Sequence, residues 1–353
     1  MKEKKMTDSR EKARAILEQY DGPPVRIMEV CGTHTHENFR LGIRKLLPKK
    51  AELISGPGCP VCVTPAGFID EAVWLALKKK VTICTFGDLV RVPGSEKSLA
   101  GARAEGGKIQ VVYSPVDAVE YARKHPKEQV VFLSVGFETT TPAACLAVKM
   151  AAKEGLENFS LLTANKTMPA AYQALKGSAD VFLYPGHVNA ITGTTLCEKL
   201  TEEGISGVVA GFGAGEILAA FAVIFTKVKE GKPFFANAYK RVVTREGSLP
   251  AQKLVEEWME PCDSEWRGLG VIPQSGLRLK EHHADYDARK KYQMPKIEGR
   301  SNPACRCGEV LQGKCKPTDC PLFGKGCTPL HPVGACMVSG EGACSAYYQY
   351  GGE

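Results

Sequence analysis

Short apolar runs alternate with stretches of helical periodicity over the first two thirds of the chain. The runs are nearly continuous in apolar residues, which is typical of parallel strands that are buried on both faces. We predict strands at residues 25–30, 51–54, 81–85, 109–113, 130–135, 160–163, 181–184 and 207–210. Helical periodicity lies between them, for example over 66–79 and 142–153. Strands that alternate with helices predict an α/β fold built on parallel sheets.

The loops in the two halves of this region resemble one another in the same order. The matching pairs are 31–36 with 136–140, 54–58 with 183–187, and 85–89 with 211–218. One such match could arise by chance between two strand-to-helix turns, but three in the same order indicate a repeat. We therefore predict two similar α/β domains, 21–129 and 130–243, that face each other across a cleft.

The end of the chain has a different character. Apolar periodicity fades after Trp258, and from Cys305 onward Cys, Gly and Pro are dense. Because this part is poor in aliphatic residues, we expect it to need a metal or cluster in order to fold. We predict a third, small domain formed by residues 244–353, with the amphipathic N-terminal helix 1–20 packed on it.

Charge and composition exclude some classes of function. The chain has 353 residues and a net charge of +7, and its basic residues are scattered, so nucleic-acid binding is not indicated. No apolar stretch approaches the roughly 18 residues of a membrane span, and the N-terminus has no signal-peptide core. We expect a cytoplasmic protein. In a reducing compartment, its 14 cysteines favour metal or redox chemistry over disulfides.

The first chemical motif follows the first predicted strand. Cys31, His34 and His36 lie within six residues at the predicted start of a helix. A helix N-terminus lowers the pKa of a thiol, so we expect Cys31 to be a reactive thiolate. Each of the three residues alone could be structural. Together, and with His36 expected on the same side as His34, they favour a metal or redox site.

The second motif, Cys59-Pro60-Val61-Cys62, follows the second predicted strand. Glycines before it allow a tight turn. This spacing serves zinc sites, iron sites and dithiol/disulfide pairs equally well. Because ligands bind beyond the carboxyl ends of parallel strands, we expect Cys31, Cys59 and Cys62 to approach one crevice.

Two further residues stand at predicted strand ends. Glu138 follows the strand at 130–135 and could act as an acid/base or as a partner of a histidine. The threonines after it are explained fully as a helix cap. His187, in Pro185-Gly186-His187, is a third histidine at a strand end. No nucleotide-binding motif of the P-loop type is present in the sequence.

Seven cysteines lie in the last 49 residues. They are Cys305, Cys307, Cys315, Cys320, Cys327, Cys336 and Cys344. The loop 320–327, with its Gly, Pro and Phe residues, is typical of iron–sulfur ligation. Zinc is the main alternative, since spacing does not separate the two. Seven candidates for four positions leave the choice of ligands open.

These motifs together resemble the HypD family of [NiFe]-hydrogenase maturation proteins. The blocks that carry the resemblance are Cys31 to His36, Gly56 to Cys62, Gly136 to Thr140 and Pro185 to His187. The family's C-x14-C-x6-C-x16-C pattern falls on Cys305, Cys320, Cys327 and Cys344. The resemblance covers nearly the whole chain. It implies two related α/β domains plus a domain that binds a [4Fe-4S] cluster through those four thiolates.

The resemblance also implies a function. A HypD-type protein assembles the Fe(CN)2CO unit together with a small HypC-type chaperone and a HypE-type cyanide donor. Cys31 would hold the iron with a cysteine of the chaperone, supported by His34 and His36, while Glu138 and His187 would lie in the same cleft. Cys59 and Cys62 would be a redox pair or further iron ligands. The alternatives are an iron–sulfur thiol–disulfide reductase and a zinc hydrolase.

Overall fold

The computed structural model describes residues 2–351, and it describes side chains for residues 10–351. The strands are β1 Val25–Glu29, β2 Ala51–Ser55, β3 Thr82–Thr85, β4 Ile109–Val111, β5 Val130–Gly136, β6 Phe159–Lys166, β7 Val181–Pro185, β8 Ser206–Ala210, β9 Phe235–Asn237, β10 Met259–Trp266 and β11 Gly270–Leu279. All eight predicted strands are confirmed. The short edge strand β9 and the hairpin of β10 and β11 were not predicted.

The α-helices cover the stretches between the strands. They are α1 Lys2–Glu18, α2 Gly32–Arg40, α3 Pro60–Val63, α4 Ala66–Lys78, α5 Leu99–Ala104, α6 Pro115–Lys124, α7 Thr141–Lys153, α8 Met168–Ala174, α9 Gly186–Thr192, α10 Thr195–Glu202, α11 Ala214–Val228, α12 Leu249–Trp258, α13 Ala288–Lys291, α14 Cys307–Leu311 and α15 Ala343–Tyr350. Short 3-10 turns lie at Ile43–Leu46, Gly87–Arg91, Glu281–Tyr286, Pro317–Asp319 and Ala335–Met337. In residues 2–351 no helix is long and apolar enough to cross a membrane.

The strands form two sheets in which parallel pairing dominates. The first has the order β2-β1-β7-β8-β9, and every neighbouring pair in it is parallel. The second has the order β10-β11-β6-β5-β3-β4, in which only the hairpin and its pairing with β6 are antiparallel. The predicted class, α/β with two parallel sheets and a cysteine-rich C-terminal region, is confirmed.

The boundary predicted at residues 129 and 130 does not separate the two sheets. Within 21–129, β1 and β2 belong to the first sheet, whereas β3 and β4 belong to the second. Within 130–243, β5 and β6 belong to the second sheet and the later strands to the first. Local patterns predict each strand and the turn after it, but the choice of neighbour depends on contacts between distant residues, which those patterns do not encode.

The predicted third segment is also divided. The hairpin of β10 and β11 extends the second sheet through β11 and β6, where Leu277 pairs with Asn165. The N-terminal helix packs on α11, with Leu17 and Phe221 in one apolar cluster of the first sheet, and not on the cysteine-rich end. The remaining chain from Cys305 packs against both sheets near the ends of β1 and β5.

Candidate functional site

The two predicted cysteine loops lie side by side because β1 and β2 are parallel neighbours. Glu29 is in register with Ser55, so both strands end at the same edge. The backbone N–H of Gly32 donates to the carbonyl oxygen of Gly58 across 3.0 Å. The loop that precedes Cys59 is therefore hydrogen-bonded directly to the turn that holds Cys31.

Cys31 is the residue that precedes helix α2, as predicted, but its thiol has a raised pKa. The side chain is buried, and burial raises the pKa of Cys31 to about 12, against the lowering by the backbone N–H of His34. The prediction of a lowered pKa was wrong, because loss of hydration outweighs the effect of the helix N-terminus. The thiol is therefore protonated near neutral pH, and it would have to lose that proton in order to bind a metal ion.

His34 and His36 point away from each other. Both lie in α2, and in an α-helix residues two positions apart are separated by about 200° around the helix axis. His34 is fully buried, and its Nε2 donates to the carbonyl oxygen of Gly211 across 2.9 Å. His36 instead contacts Tyr350 of α15, with 3.5 Å between its Nε2 and the tyrosine hydroxyl. The expectation that both share one side of the loop was wrong.

The His34 ring is neutral, and one of its nitrogens is available to accept a hydrogen bond. Burial is the main reason that its pKa is lowered to about 4. Since Nε2 donates to Gly211, Nδ1 keeps its lone pair, and this buried atom has no hydrogen-bond partner among the described residues. A buried lone pair of this kind can accept a hydrogen bond or bind a metal.

His187 lies near His34, and Phe212 joins them. The Phe212 ring stacks on His34 at 4.7 Å between ring centroids and on His187 at 3.8 Å. The loops after β7 and β8 therefore converge on helix α2, as the pattern of parallel strands predicts. His187 is exposed, and the partial loss of hydration that it undergoes lowers its pKa.

Glu138 follows β5 and is buried with one oxygen unpaired. Its Oε1 accepts the backbone N–H of Met168 across 2.8 Å, whereas Oε2 has no partner in the described chain. Burial raises the pKa of Glu138 to about 7. The Tyr172 hydroxyl lies close enough to Cys31, Cys197 and Glu138 to be affected by their charges. These groups share one buried region beyond the ends of both sheets.

Cys59 and Cys62 form a compact pair at helix α3. The backbone N–H of Cys62 donates to the Sγ of Cys59 across 3.2 Å, and both side chains are buried. Burial raises the pKa of Cys62 well above its ordinary value. The geometry is that of a dithiol at a helix N-terminus, as in many dithiol/disulfide motifs.

Two cysteines whose roles the sequence left open, Cys307 and Cys336, extend this pair. The Sγ atoms of Cys307 and Cys336 lie 2.9 Å apart, and both are buried. The Cys336 thiol is also within hydrogen-bonding reach of Cys62 and Cys344, and the Cys307 thiol within reach of Cys305. The only signal in the sequence is that Cys307 and Cys336 stand between the predicted cluster ligands.

The four cysteines predicted to bind a cluster line one enclosed apolar cavity. Its walls include Cys305, Cys320, Cys327 and Cys344, together with Cys307 and Cys336 and apolar side chains such as Phe323 and Met337. Four or more thiols around an apolar cavity fit an iron–sulfur cluster. Cys315 is not part of the lining.

Among residues 10–351, whose side chains are described, no three His, Cys, Asp or Glu side chains are arranged to hold a single metal ion. Cys31, Cys59 and Cys62 therefore do not form a ready-made site for one ion. An iron on Cys31 would take its other ligands from elsewhere. The cluster cysteines are not in conflict with this finding, since thiolates around four irons lie farther apart than the ligands of one ion.

Comparison with known proteins agrees with this arrangement. The family model HypD, described as the hydrogenase formation hypA family, matches residues 6–351. The chain belongs to the HypD family. "Hydrogenase maturation factor HypD2" of Bradyrhizobium diazoefficiens is 44% identical over 353 residues, which cover 96% of this chain and 93% of that protein.

Other members of the HypD family are similarly close. "Hydrogenase maturation factor HypD" of Rhodobacter capsulatus is 44% identical over 339 residues, covering 93% of this chain and 90% of that protein. The protein of the same name from Escherichia coli K12 is 42% identical over 333 residues, covering 93% and 89%. The similarity therefore spans both sheets and the cysteine-rich end.

Proposed function

We propose that this HypD-family chain is a hydrogenase maturation protein that holds an iron on Cys31 while the Fe(CN)2CO unit is assembled. A HypC-type chaperone would share the iron, and a HypE-type protein would donate cyanide. The observation that carries the proposal is that thiols follow one another in space from the Cys31 turn to the cysteine-lined cavity. The Cys31 turn is hydrogen-bonded to the Cys59 loop, and from Cys62 the thiols continue through Cys336 to the cysteine-lined cavity.

The surroundings of Cys31 suit this role. Cyanide and carbon monoxide favour low-spin iron on a soft thiolate ligand. The buried turn keeps water away from such a centre, and the lone pair of His34 Nδ1 supplies an acceptor for an incoming group. Glu138, with its pKa near neutrality, can hold or release a proton in the same buried region.

The cavity residues fit a [4Fe-4S] cluster held by Cys305, Cys320, Cys327 and Cys344. Such a cluster, when bound, supplies electrons one at a time. The chain's own thiols carry the reduction to the Cys59–Cys62 pair by disulfide exchange. Cys336 attacks the Cys62 sulfur of a Cys59–Cys62 disulfide and its proton passes to the departing Cys59 sulfur. Cys307 then attacks the Cys336 sulfur of the mixed disulfide and its proton passes to the departing Cys62 sulfur. Cys59 and Cys62 leave as thiols and a Cys307–Cys336 disulfide forms. Reopening that disulfide takes two electrons and two protons.

A thiol–disulfide reductase remains the second candidate, because the thiol series alone would serve it equally well. The two functions differ at Cys31. The test is infrared spectroscopy of the protein purified without oxygen, with its small partner, from cells that contain the whole maturation system. Bands of metal-bound cyanide and carbonyl are expected, and Cys31→Ser should abolish them while the cluster spectrum stays intact.

A matched control is Cys84→Ser, a buried cysteine of β3 that lies in a different apolar cluster. It should keep the bands. Absence of the bands in wild-type protein with an intact cluster would favour the reductase. Loss of the cluster in Cys31→Ser would contradict the assignment of the two sites as separate.

A further inference from the structure

A basic groove lies on the surface beside the cysteine-lined cavity. Its volume is about 690 Å³, and none of its lining residues belongs to the motifs around Cys31 or Cys59. We define the basic groove by five of its lining residues, Arg91, Lys97, Arg300, Leu330 and His331. They come from three separate parts of the chain that the fold brings together.

The charge of the groove is positive, and part of it is free to meet a partner. The one acidic residue in the lining is Glu96. Lys97 is already paired with Glu105 at 2.6 Å. Arg91 and Arg300 are exposed, and neither forms an ion pair within the part of the chain that the structure describes; Arg91 donates to the carbonyl oxygen of Pro329 across 2.8 Å.

The wall of the groove is in contact with the cysteine-lined cavity. Val333 lines the groove, and its backbone N–H donates to the Sγ of Cys327 across 3.3 Å. The next residue, Gly334, is so close to Cys305 that a Cβ atom there would lie 2.7 Å from its Sγ. A single layer of backbone therefore separates the groove from two of the four cysteines predicted to bind the cluster.

The chemistry of the thiols requires a supply of electrons from outside the chain. Each disulfide that is opened takes two electrons and two protons, and a cluster bound by the chain would pass on only electrons that it has first received from a donor. We propose that the basic groove is the docking surface for a small acidic iron–sulfur protein of the ferredoxin class. This inference rests on the proposed function.

The surface has the features of a transient electron-transfer interface. Such interfaces are small and form through complementary charge, which speeds encounter more than it strengthens binding. Leu330, which also lines the groove, is 81% exposed and offers an apolar contact beside the positive charges. Two successive dockings, each oxidising one reduced carrier by one electron, together with two protons, convert one S–S bond into two S–H groups.

The test uses the full-length protein with its cluster and a reduced acidic [2Fe-2S] ferredoxin as the probe. Affinity is measured by biolayer interferometry at low and at physiological ionic strength, and electron transfer by stopped-flow absorbance. Arg91→Glu/Arg300→Glu is expected to weaken binding at least about tenfold and to remove most of its salt dependence. Leu330→Ser should weaken binding without changing the salt dependence.

The matched control is Lys127→Glu, an exposed cation in the loop after α6 whose substitution changes the charge by the same amount per site. If the control weakened ferredoxin binding equally, the effect would be explained by net charge alone, and the proposal would be overturned. Unchanged binding in Arg91→Glu/Arg300→Glu would also overturn it. Selective loss of binding to the small maturation chaperone, with ferredoxin binding retained, would assign the groove to that partner instead.

Reduction by dithionite separates this proposal from the proposed function. If dithionite opens the disulfides in wild type and variant alike, the thiol series works whatever the result at the groove. If dithionite opens them in neither, the redox role fails, while the binding measurements still decide the docking surface.

Discussion

Gly58 lies directly against the backbone of Cys31. A Cβ atom built at Gly58 would lie 2.2 Å from the backbone nitrogen of Cys31 and 2.3 Å from its Cα. These are backbone atoms of a buried turn, so they cannot move aside as the end of a flexible side chain can. A residue without a side chain is therefore required at position 58 for the two neighbouring loops to contact each other.

We expect Gly58→Ala to disturb both cysteine loops at once. The overpacking should lower the free energy of unfolding by about 2 kcal/mol, lower the Tm, and abolish the infrared bands of the metal-bound ligands. Gly340→Ala is the control, since its Cβ would meet nothing within 4 Å. An unchanged Tm together with full infrared bands in Gly58→Ala would contradict this account.

Cys336 is the expected link between the Cys59–Cys62 pair and the cavity. In Cys336→Ser, dithionite should leave the Cys59–Cys62 disulfide closed, because Cys336 is the thiol outside the pair that lies within hydrogen-bonding reach of Cys62 in the described chain. Differential alkylation followed by mass spectrometry reads the state of each cysteine. Cys145→Ser, a buried cysteine of α7 outside this series, should behave as wild type. Normal opening in Cys336→Ser would show that electrons take another route.

The buried carboxylate of Glu29 ties helix α2 and the 3-10 turn after it to strand β1. Glu29 is fully buried and accepts from Arg44 at 2.5 Å and from Asn38 at 2.6 Å. Glu29→Gln should lower the free energy of unfolding by about 3 kcal/mol, because it leaves a partly buried guanidinium without its counter-charge.

The matched control is Glu52→Gln on the neighbouring strand. Glu52 also pairs with an arginine, Arg26 at 3.0 Å, but both side chains are nearly half exposed. Loss of this ion pair should lower the free energy of unfolding by less than about 1 kcal/mol. Chemical denaturation of both variants measures the two changes in the free energy of unfolding. Equal changes would show that the burial of Glu29 does not determine how much its ion pair stabilises the protein.

Glu138 should give the stability a recognisable pH dependence. Its pKa in the folded protein is raised to about 7 by burial, above the unfolded value of about 4.3. Between these values the folded state binds more protons than the unfolded chain, so its contribution to stability is present at low pH and is lost as the pH rises toward 7.

Glu138→Gln should remove this dependence. The difference in Tm between the variant and wild type should therefore grow in favour of the variant from about pH 5.5 to about pH 8. Glu256→Gln, an exposed carboxylate on α12, should leave the wild-type profile unchanged. Parallel profiles for wild type and Glu138→Gln would contradict the raised pKa.

The sequence predicts those features that depend on a few adjacent residues. Each strand followed by its loop is local, so the positions of Cys31, Cys59 and Glu138 at strand ends could be predicted. The family pattern singles out Cys305, Cys320, Cys327 and Cys344, and in the structure all four line one cavity.

Features that depend on distant contacts could not be predicted. The pairing of Cys307 with Cys336 joins residues 29 positions apart through packing alone. The divergence of His34 and His36 required knowing that α2 begins directly after Cys31, because in a loop both could have shared a side. The raised pKa of Cys31 depends on its burial in the folded chain and on the charge of Glu341, a residue distant in sequence that packs against Gly32.

The order of strands also bears on how the molecule can move. Within residues 2–351 the chain passes between the two sheets along three connections, after β2, after β6 and after β9. The first of them contains Cys59 and Cys62, and it is anchored to the Cys31 turn by the hydrogen bond at Gly58. These two sulfurs thus lie where the chain leaves the first sheet, three residues apart in one turn of α3. A bond between them would stiffen the start of this connection without changing its length, so oxidation of the pair would restrict the backbone locally at the junction of the two sheets.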